Sequence, residues 1–368
     1  LWGDRMREPF RERPLRVGYL SADLANHPVG RFLLPLLRHH DRSAVEIWGL
    51  SCGPHDDNMR QNLQEACDHW LDLRFANDLE AARLIADEAL DLVVELGGFT
   101  GNSRLGVLVH RPAPVQLSYL GFYAPTYLQA IDGWIGDREL FGGLEALDRE
   151  AHTLLEVDQG YMAFVPEQVP DISARCPAAR FRFGSFNHAR KLTAETIRLF
   201  CAALAAVPEA ELVLKSISFV EVAEQERVRG LFLAAGLPAE RLTILPWVQG
   251  WDRHMECYQQ IDVALDPLPY GGATTSCEAL WMGVPVVTLA GRGMVGRLTA
   301  SVLSSGNCSQ WIARSPEEFV AIAATLAREG QRTLQQRQQL RERLQQSALG
   351  DPVRLCQELE RLYRQVAR

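Results

Sequence analysis

The sequence lacks the patterns that mark secreted, disulfide-bonded and membrane proteins. Its eight cysteines are scattered without a CxxC or another short pairing, which favours reduced thiols over a disulfide framework and predicts a cytoplasmic location. No apolar run approaches ~18 residues and no signal-peptide pattern opens the chain, so we expect neither a membrane span nor export. The chain begins at Leu1 rather than at an initiator Met, which leaves open that it is a fragment.

Further absences argue against particular classes of enzyme, metal site and partner. No GxGxxG follows the first predicted strand, so a dinucleotide-dependent dehydrogenase would lack its phosphate cradle, and no GxxxxGK[ST] marks a P-loop phosphotransferase. The histidines do not fall into HExxH or another metal spacing, so we predict no structural or catalytic metal. We also expect no bound cofactor. A net charge of -8 with a pI near 5.7 gives no basic field for nucleic acid, which is therefore not an expected partner.

What the chain does contain is a regular alternation of short strands and helices. With 368 residues, 47% of them apolar and 23% charged, it is long enough for two domains. Apolar, β-branched runs that alternate with helical patterns are typical of parallel sheets with crossover helices, so we predict an α/β fold of two Rossmann-like domains. The clearest helices cover 193–207, 219–235 and 275–283, and the predicted strands cover 15–20, 45–51, 90–96, 114–121, 131–137, 181–187, 211–216, 242–247, 263–267 and 284–290.

A proline-rich stretch separates the two series of strands. Residues 166–180, PEQVPDISARCPAAR, hold three prolines and no sustained periodicity, which is typical of an interdomain linker. We therefore predict an N-terminal domain over 1–165 and a C-terminal domain over 181–368. The second domain includes a helical tail, whose last helix has an apolar face made of Val353, Leu355, Leu359 and Leu362.

The strongest candidate for chemistry is VALDPLPYGGATTSCEALWMG, residues 263–283. A strand ends here, Pro and Gly residues turn the chain, and a helix begins at Thr274 and Thr275. In open α/β sheets, ligands bind beyond the carboxyl ends of strands, and the free N–H groups at a helix N-terminus favour an anion. Gly272 allows close backbone approach, so these residues would wrap a diphosphate, with Glu278 one turn further on to accept ribose hydroxyls. A threonine cap on an ordinary core helix is the alternative.

Three other loops follow predicted strands. In GSFNHARKLT a strand ends at Asn187, His188 follows, and Lys191 lies in the loop, where a lysine would neutralise a departing diphosphate without a metal. In SADLANHPVG, His27 lies in a loop expected to face the interdomain cleft, where histidine can be a general base. The alternatives are a solvated surface lysine and a structural or exposed histidine. Glu95 ends another strand before two glycines, and a plain strand-to-loop turn is favoured there.

In this order along the chain, the segments resemble the catalytic region of the O-linked N-acetylglucosamine transferase and SPINDLY family, glycosyltransferase family 41, in its bacterial type. The resemblance runs from about Pro14 to Val366. It is carried by the motifs LRVGYLSADLANHPVG, VELGGFTGNSRLG, RPAPVQLSYLG, FGSFNHARKLT, PEAELVLKS, ALDPLPYGGATTSCEALWMGVPVVTLAG and LERLYRQV.

The resemblance implies a GT-B fold, with two facing Rossmann-like domains, and an inverting, metal-independent sugar transfer. The donor it implies is a nucleotide sugar, with UDP-GlcNAc expected, and the acceptor is a Ser or Thr hydroxyl of a protein. In catalysis it implies His27 as base or as a donor and acceptor contact, and Lys191 on the donor phosphates. The donor-binding positions that it implies are Asn187, His188, Gly272, Thr274, Thr275 and Glu278, with the threonines on the pyrophosphate and the glutamate on the ribose.

Several positions depart from the family pattern. His188 replaces the amide side chain usual after FN, Ala273 stands where the sugar-transferase branch has a histidine, and Phe99 replaces a histidine found in many relatives. The 122–130 loop also differs, and the tetratricopeptide repeats expected upstream are missing from the sequence. These departures leave open a glucose or fucose donor, an Asn, Arg or non-protein acceptor, and a catalytically degenerate module that binds a nucleotide without turnover.

Overall fold

The computed structural model describes residues 13–158, 160–173 and 180–367. Within these ranges the chain forms two compact units. The first runs to Val165 and resumes at Ala348, and the second runs from Pro166 to Ser347. Among the described residues, no helix is long and apolar enough to cross a membrane.

The first unit is built on a seven-stranded sheet in which all neighbouring strands are parallel. Its elements up to Val165 are β1 (Leu15–Ser21), α1 (Pro28–His39), β2 (Val45–Ser51), α2 (Asn58–Glu65), β3 (His69–Asp72), α3 (Asp78–Asp87), β4 (Leu92–Glu95), α4 (Leu105–Val109), β5 (Val115–Ser118), β6 (Gly133–Asp137), α5 (Arg138–Phe141), α6 (Ala146–Glu150) and β7 (Thr153–Val157). The strand order is β3-β2-β1-β4-β5-β6-β7. The central strand β4 is buried at every residue, as expected where helices cover both faces of a parallel sheet.

The second unit repeats this plan with a six-stranded parallel sheet. Its elements are β8 (Arg182–Ser185), α7 (Ala194–Ala205), β9 (Glu211–Lys215), α8 (Val222–Ala234), β10 (Leu242–Leu245), α9 (Trp251–Glu256), β11 (Val263–Leu265), α10 (Thr274–Trp281), β12 (Val286–Leu289), α11 (Leu298–Ser305), β13 (Ile312–Ala313), α12 (Pro316–Glu329) and α13 (Leu334–Gln345). The strand order is β10-β9-β8-β11-β12-β13. The predicted α/β fold with two Rossmann-like domains is therefore confirmed.

The sequence missed three strands, and all three lie at sheet edges. They are β3 and β7 in the first sheet and β13 in the second. Edge strands are covered on fewer sides, so their sequences carry a weaker apolar signal. No residue of β3 is fully buried, β7 exposes Thr153 and Glu156, and β13 has only two residues. Each of the ten predicted strands is present in the described residues.

The last helix, α14 (Pro352–Val366), belongs to the first unit, which corrects its assignment to the second domain. It packs against α1 and β7. Three of its four predicted apolar residues are buried, namely Leu355, Leu359 and Leu362, whereas Val353 is exposed. Helical periodicity identifies the buried face of a helix, but it carries no information about which domain covers that face.

A buried polar cluster fixes α14 on the first unit. The Glu360 carboxylate lies 2.9 Å from His40 Nδ1, and the hydroxyls of Tyr19 and Tyr363 lie 3.0 Å apart. Burial lowers the pKa of His40 and Glu360 opposes this effect, while burial raises the pKa of both tyrosines. These groups satisfy one another where water has no access, so the cluster specifies how the helix docks.

The predicted linker is described only in part. Residues 174–179 lie outside the described residues. The preceding stretch packs on the second unit, where Trp251 Nε1 donates to the Gln168 carbonyl and Gln259 Nε2 donates to the Asp171 carbonyl, both at 2.9 Å.

Both sheets have a topological switch point, where neighbouring strands lead to opposite sides of the sheet. In the first unit it lies between β1 and β4, and in the second between β8 and β11. Ligands of open α/β sheets bind beyond the carboxyl ends of the strands at such points. The chain places His27 after β1, Lys191 after β8, and the turn before α10 after β11.

The turn after β4 is shaped by a buried carboxylate. Glu95 Oε1 accepts hydrogen bonds from the backbone N–H groups of Gly97 (2.5 Å) and Gly98 (2.6 Å), and φ of Gly98 is +52°. Oε2 is buried and has no hydrogen-bond partner among the described residues. Burial raises the pKa of Glu95 from 4.5 to about 7, against the lowering effect of the two N–H groups.

Because the folded protein raises this pKa, the protonated carboxyl is the form that the fold stabilises. That contribution is complete below pH 4.5 and is lost as the pH rises to about 7, a difference worth about 3 kcal/mol. We predict that Glu95→Gln, which keeps the acceptor oxygen and cannot ionise, is more stable than the wild type by up to about 3 kcal/mol at about pH 8 and nearly equal at about pH 4.5. Urea unfolding across this range measures the difference. The exposed Glu65→Gln is the control, and equal pH profiles for wild type and Glu95→Gln would contradict the prediction.

Candidate functional site

The centre of the candidate site is the ammonium group of Lys191. It follows β8 in a single 3-10 turn over Ala189–Lys191. Its Nζ donates to the Gly271 carbonyl at 2.7 Å and to Asn187 Oδ1 at 3.2 Å, and lies 4.0 Å from the centre of the Tyr270 ring. The structure thus brings Lys191 together with the turn after β11, the turn that the sequence analysis predicts to bind a diphosphate. A freely solvated surface lysine is not what is observed.

Asn187 joins this lysine to helix α10. Its Oδ1 also accepts from Thr275 Oγ1 at 3.1 Å, so one amide oxygen connects the loop after β8 with the first turn of α10. Neither threonine caps the helix, because the N-cap residue is Ala273 and no side chain accepts a hydrogen bond from the first N–H groups. Uncapped N–H groups at a helix start are suited to an anion.

Gly272 is required where the turn meets α10. A Cβ at this position would overlap the Thr275 hydroxyl and lie 2.9 Å from Asn187 Oδ1. Its N–H donates to Asp266 Oδ1 at 2.7 Å, and its carbonyl accepts from Thr299 Oγ1 at 2.7 Å. These bonds hold the backbone of the turn in the position that presents the Gly271 carbonyl to Lys191.

Burial shifts the pKa values of two charged groups at the site, Lys191 and Asp266. Burial lowers the pKa of Lys191 from 10.5 to about 8, and the negative charge of Asp266 opposes the change. Burial raises the pKa of Asp266, against the hydrogen bonds that it accepts and the charge of Lys191. A second negative group beside the lysine would favour its protonated form. Among the described residues, no three His, Cys, Asp or Glu side chains are grouped so that they could hold a metal ion.

Glu278 and His188 differ in their solvent exposure. Glu278 is 2% exposed, and its Oε2 accepts from His254 Nε2 and from the Tyr258 hydroxyl, both at 2.9 Å. His188 is exposed and caps the 3-10 turn by accepting the Arg190 N–H on its Nδ1 at 3.2 Å. Burial, followed by the charges of Arg190 and Lys191, lowers the pKa of His188.

In the first unit, His27 is the N-cap of α1. Its Nδ1 accepts the Val29 N–H at 3.3 Å and lies 3.8 Å from Asp23 Oδ2. Burial lowers the pKa of His27, and Asp23 opposes this effect. A neutral imidazole that accepts at Nδ1 carries its proton at Nε2. The ring therefore presents an N–H donor, whereas a general base would need an unprotonated Nε2.

Sequence reasoning missed three members of the polar chain that ends at Glu278. They are Lys215 at the end of β9, His254 in α9, and Tyr258 in the turn that follows. One signal was available, because Lys191 and Lys215 are the only two lysines among the 38 Lys and Arg residues. Both lie just beyond or at the carboxyl end of a strand.

Comparisons with known proteins identify the family of the chain. The model of glycosyl transferase family 41 matches residues 5–142 and 173–359. The chain is 30% identical over 366 residues to the probable UDP-N-acetylglucosamine–peptide N-acetylglucosaminyltransferase SPINDLY of Solanum lycopersicum, covering 97% of this chain and 39% of that protein. It is 28% identical to the SEC protein of Arabidopsis thaliana, covering 95% and 36%. The chain thus spans about two fifths of the length of these curated relatives.

Solved structures include a clear relative. A mutant of Thermobaculum terrenum O-GlcNAc transferase superposes with a TM-score of 0.88 at 34% identity, covering 96% of this chain and 68% of that one. The Anabaena protein HepE, solved with UDP and glucose, has a TM-score of 0.58 at 14% identity over 95% of this chain, which shows a shared fold alone. With the family model covering most of its length and this relative covering nearly all of it, the chain belongs to glycosyl transferase family 41.

Proposed function

We propose that this chain is the catalytic region of an inverting, metal-independent glycosyltransferase. It would move a sugar, GlcNAc from UDP-GlcNAc, to Ser or Thr hydroxyls of proteins in the cytoplasm. The observation that carries the proposal is the Lys191 ammonium, bonded to Gly271 and Asn187 beside the uncapped first turn of α10. In the proposed GT-B arrangement, the first unit supplies the acceptor side and the second holds the donor.

The diphosphate would be bound as an anion by one cation and several aligned dipoles. Lys191 supplies the charge, Thr274 and Thr275 supply hydroxyls, and the first N–H groups of α10 supply the helix dipole. As the sugar leaves, negative charge grows on the diphosphate, and donors already in position stabilise it without reorganisation. Each such contact is expected to lower the barrier by ~2 to 4 kcal/mol. A bound metal ion is not needed for this step.

On the acceptor side, we propose that His27 acts as a hydrogen-bond donor. With Nδ1 accepting the Val29 N–H, the neutral ring offers Nε2–H to a sugar or acceptor oxygen. This is the donor-contact alternative implied by the family resemblance, and it is favoured over the general base by the cap geometry. Replacing His27 would then impair positioning of the acceptor or the sugar.

The names of the relatives support the donor and the acceptor class. The SPINDLY and SEC proteins are named as probable UDP-N-acetylglucosamine–peptide N-acetylglucosaminyltransferases, and the Thermobaculum protein as an O-GlcNAc transferase mutant. GlcNAc and a peptide acceptor are therefore the first pair to test. UDP-glucose and GDP-fucose are the competing donors, because Ala273 and the 122–130 loop differ from the family pattern near the expected donor site.

We predict that Lys191→Ala lowers the turnover number by about a hundredfold to a thousandfold, because it removes one preorganised donor to the leaving diphosphate. Lys191→Ala loses two hydrogen bonds but also the cost of desolvating the ammonium, so the free energy of unfolding should change less than the activation barrier. Transfer of labelled GlcNAc to peptides, followed by mass spectrometry, measures the loss. The exposed neighbour Arg190→Ala is the matched control and should keep wild-type turnover.

Equal turnover in Lys191→Ala and Arg190→Ala would refute the role of Lys191. UDP binding by the wild type without sugar transfer or release from any of the three donors would instead identify a catalytically degenerate binding module. Transfer to Asn, Arg or a non-protein molecule would leave the donor assignment intact and replace the acceptor.

We also predict that UDP affinity declines at alkaline pH. Only the protonated lysine attracts a diphosphate, and the pKa of Lys191 is about 8 in the free protein. Above that value the affinity should fall by up to about tenfold per pH unit until the complex itself loses the proton. Isothermal titration calorimetry with UDP from about pH 7 to about pH 10 measures this slope. The Lys191→Met variant should bind weakly with little pH dependence, and a flat wild-type profile would contradict the prediction.

A further inference from the structure

A chain of polar side chains in the second unit runs behind the proposed donor site. Lys215 Nζ lies 2.6 Å from His254 Nδ1, and His254 Nε2 lies 2.9 Å from Glu278 Oε2. The Tyr258 hydroxyl donates to the same Oε2 at 2.9 Å. The chain thereby links the end of β9, helix α9 and helix α10.

The hydrogen bonds determine where the protons lie. An ammonium group has three donors and no acceptor, so its contact with the imidazole requires an unprotonated Nδ1. The ring proton is then on Nε2, where it donates to the Glu278 carboxylate. His254 is held as one neutral tautomer, and Lys215 and Glu278 form an ion pair that is relayed through it.

The chain lies in an environment where charges interact strongly. Lys215 is 4% exposed and Glu278 is 2% exposed, whereas the side chain of His254 is 23% exposed. The charged or titratable groups that face His254 from neighbouring elements are Lys215, Glu278 and Tyr258, and Cys257 lies close to Lys215. Burial lowers the pKa of Lys215, and Cys257 and Glu278 oppose this effect. Loss of the Lys215 hydrogen bond would therefore change the orientation and the electrostatic environment of Glu278.

Lysine suits this position better than arginine. The chain uses arginine almost everywhere and keeps only two lysines, both in this unit, where Lys191 contacts Gly271 and Lys215 contacts His254. A lysine ends in a compact ammonium that can place one donor on a single ring nitrogen, whereas a guanidinium is a planar fork of several donors. The Lys215 ammonium also lies over the Phe186 ring, 5.8 Å from its centre.

We propose that Lys215 is a positioning residue of the donor site, which acts through His254 to hold Glu278 as an oriented anion for the ribose of the nucleotide. This rests on the proposed function, in which Glu278 accepts ribose hydroxyls. Lys215 itself does not touch the nucleotide. Its role is to donate a hydrogen bond to His254 Nδ1, so that the ring proton lies on Nε2 and points at the Glu278 carboxylate.

Two variants of similar length separate the donated hydrogen bond from simple packing. Lys215→Met removes the donor, and Lys215→Gln keeps a donor that can reach His254 Nδ1 without a charge. We expect Lys215→Met to weaken UDP binding by about tenfold to a hundredfold, the value of a hydrogen bond to a charged group, and Lys215→Gln to stay within about threefold of the wild type.

The tautomer is measured directly in the wild type, so the proposal stays testable if either variant fails to fold. Nitrogen-15 NMR of labelled histidine, with His254→Ala to identify the signal, should show a proton on Nε2 and none on Nδ1 at neutral pH. A proton on Nδ1 would overturn the proposal. So would equal weakening of UDP binding in Lys215→Met and Lys215→Gln, or no weakening in either.

Failure of the proposed function gives a different result. If the wild type binds neither UDP nor GDP by calorimetry, the donor site itself is refuted and the nucleotide role of Lys215 falls with it. If the wild type binds UDP and Lys191→Met does not, the donor site stands, and the Lys215 variants decide the present proposal alone.

Discussion

The hydrogen bond from the Lys191 ammonium to the Gly271 carbonyl joins two loops that lie 80 residues apart in the chain. One loop follows β8 and the other follows β11, the two strands that meet at the switch point of the second sheet. A parallel sheet brings the carboxyl ends of such strands together whatever their separation in sequence. The proposed donor site depends on this contact, because it sets the lysine beside the first N–H groups of α10.

The same contact explains why the site is suited to an anion. Lys191 is partly desolvated, and the buried carboxylate of Asp266, whose negative charge acts on it, already accepts hydrogen bonds from Gly272 and Thr288. Protonation of the lysine is therefore less favourable than in water, and a diphosphate would restore it. The chain from Lys215 through His254 gives Glu278 a defined orientation one helical turn further along α10.

Sequence reasoning found ten of the thirteen strands in the described residues and the loops at both switch points. It succeeded because buried parallel strands are continuous apolar runs, and because the segment with Asn187 and Lys191 and the turn before α10 follow those runs directly. It did not find the partners of Glu278, because Lys215 and His254 reach it only through packing of β9 and α9. It also assigned α14 to the wrong domain. The sequence pattern of the helix shows which face is buried, but its docking on α1 is a long-range contact that the pattern does not reveal. The tautomer of His27 likewise depends on the hydrogen bond from the Val29 N–H, which the sequence does not reveal.

The most direct measurement of the central claim is an NMR titration of the two lysines. Protein labelled with carbon-13 lysine should give two side-chain signals, assigned with Lys191→Met and Lys215→Gln. The Lys191 signal is predicted to titrate near a pKa of about 8 in the free protein, and to move to higher pH when UDP is bound. A Lys191 signal that is unchanged while UDP saturates the protein would contradict the account, because the diphosphate would then be bound elsewhere.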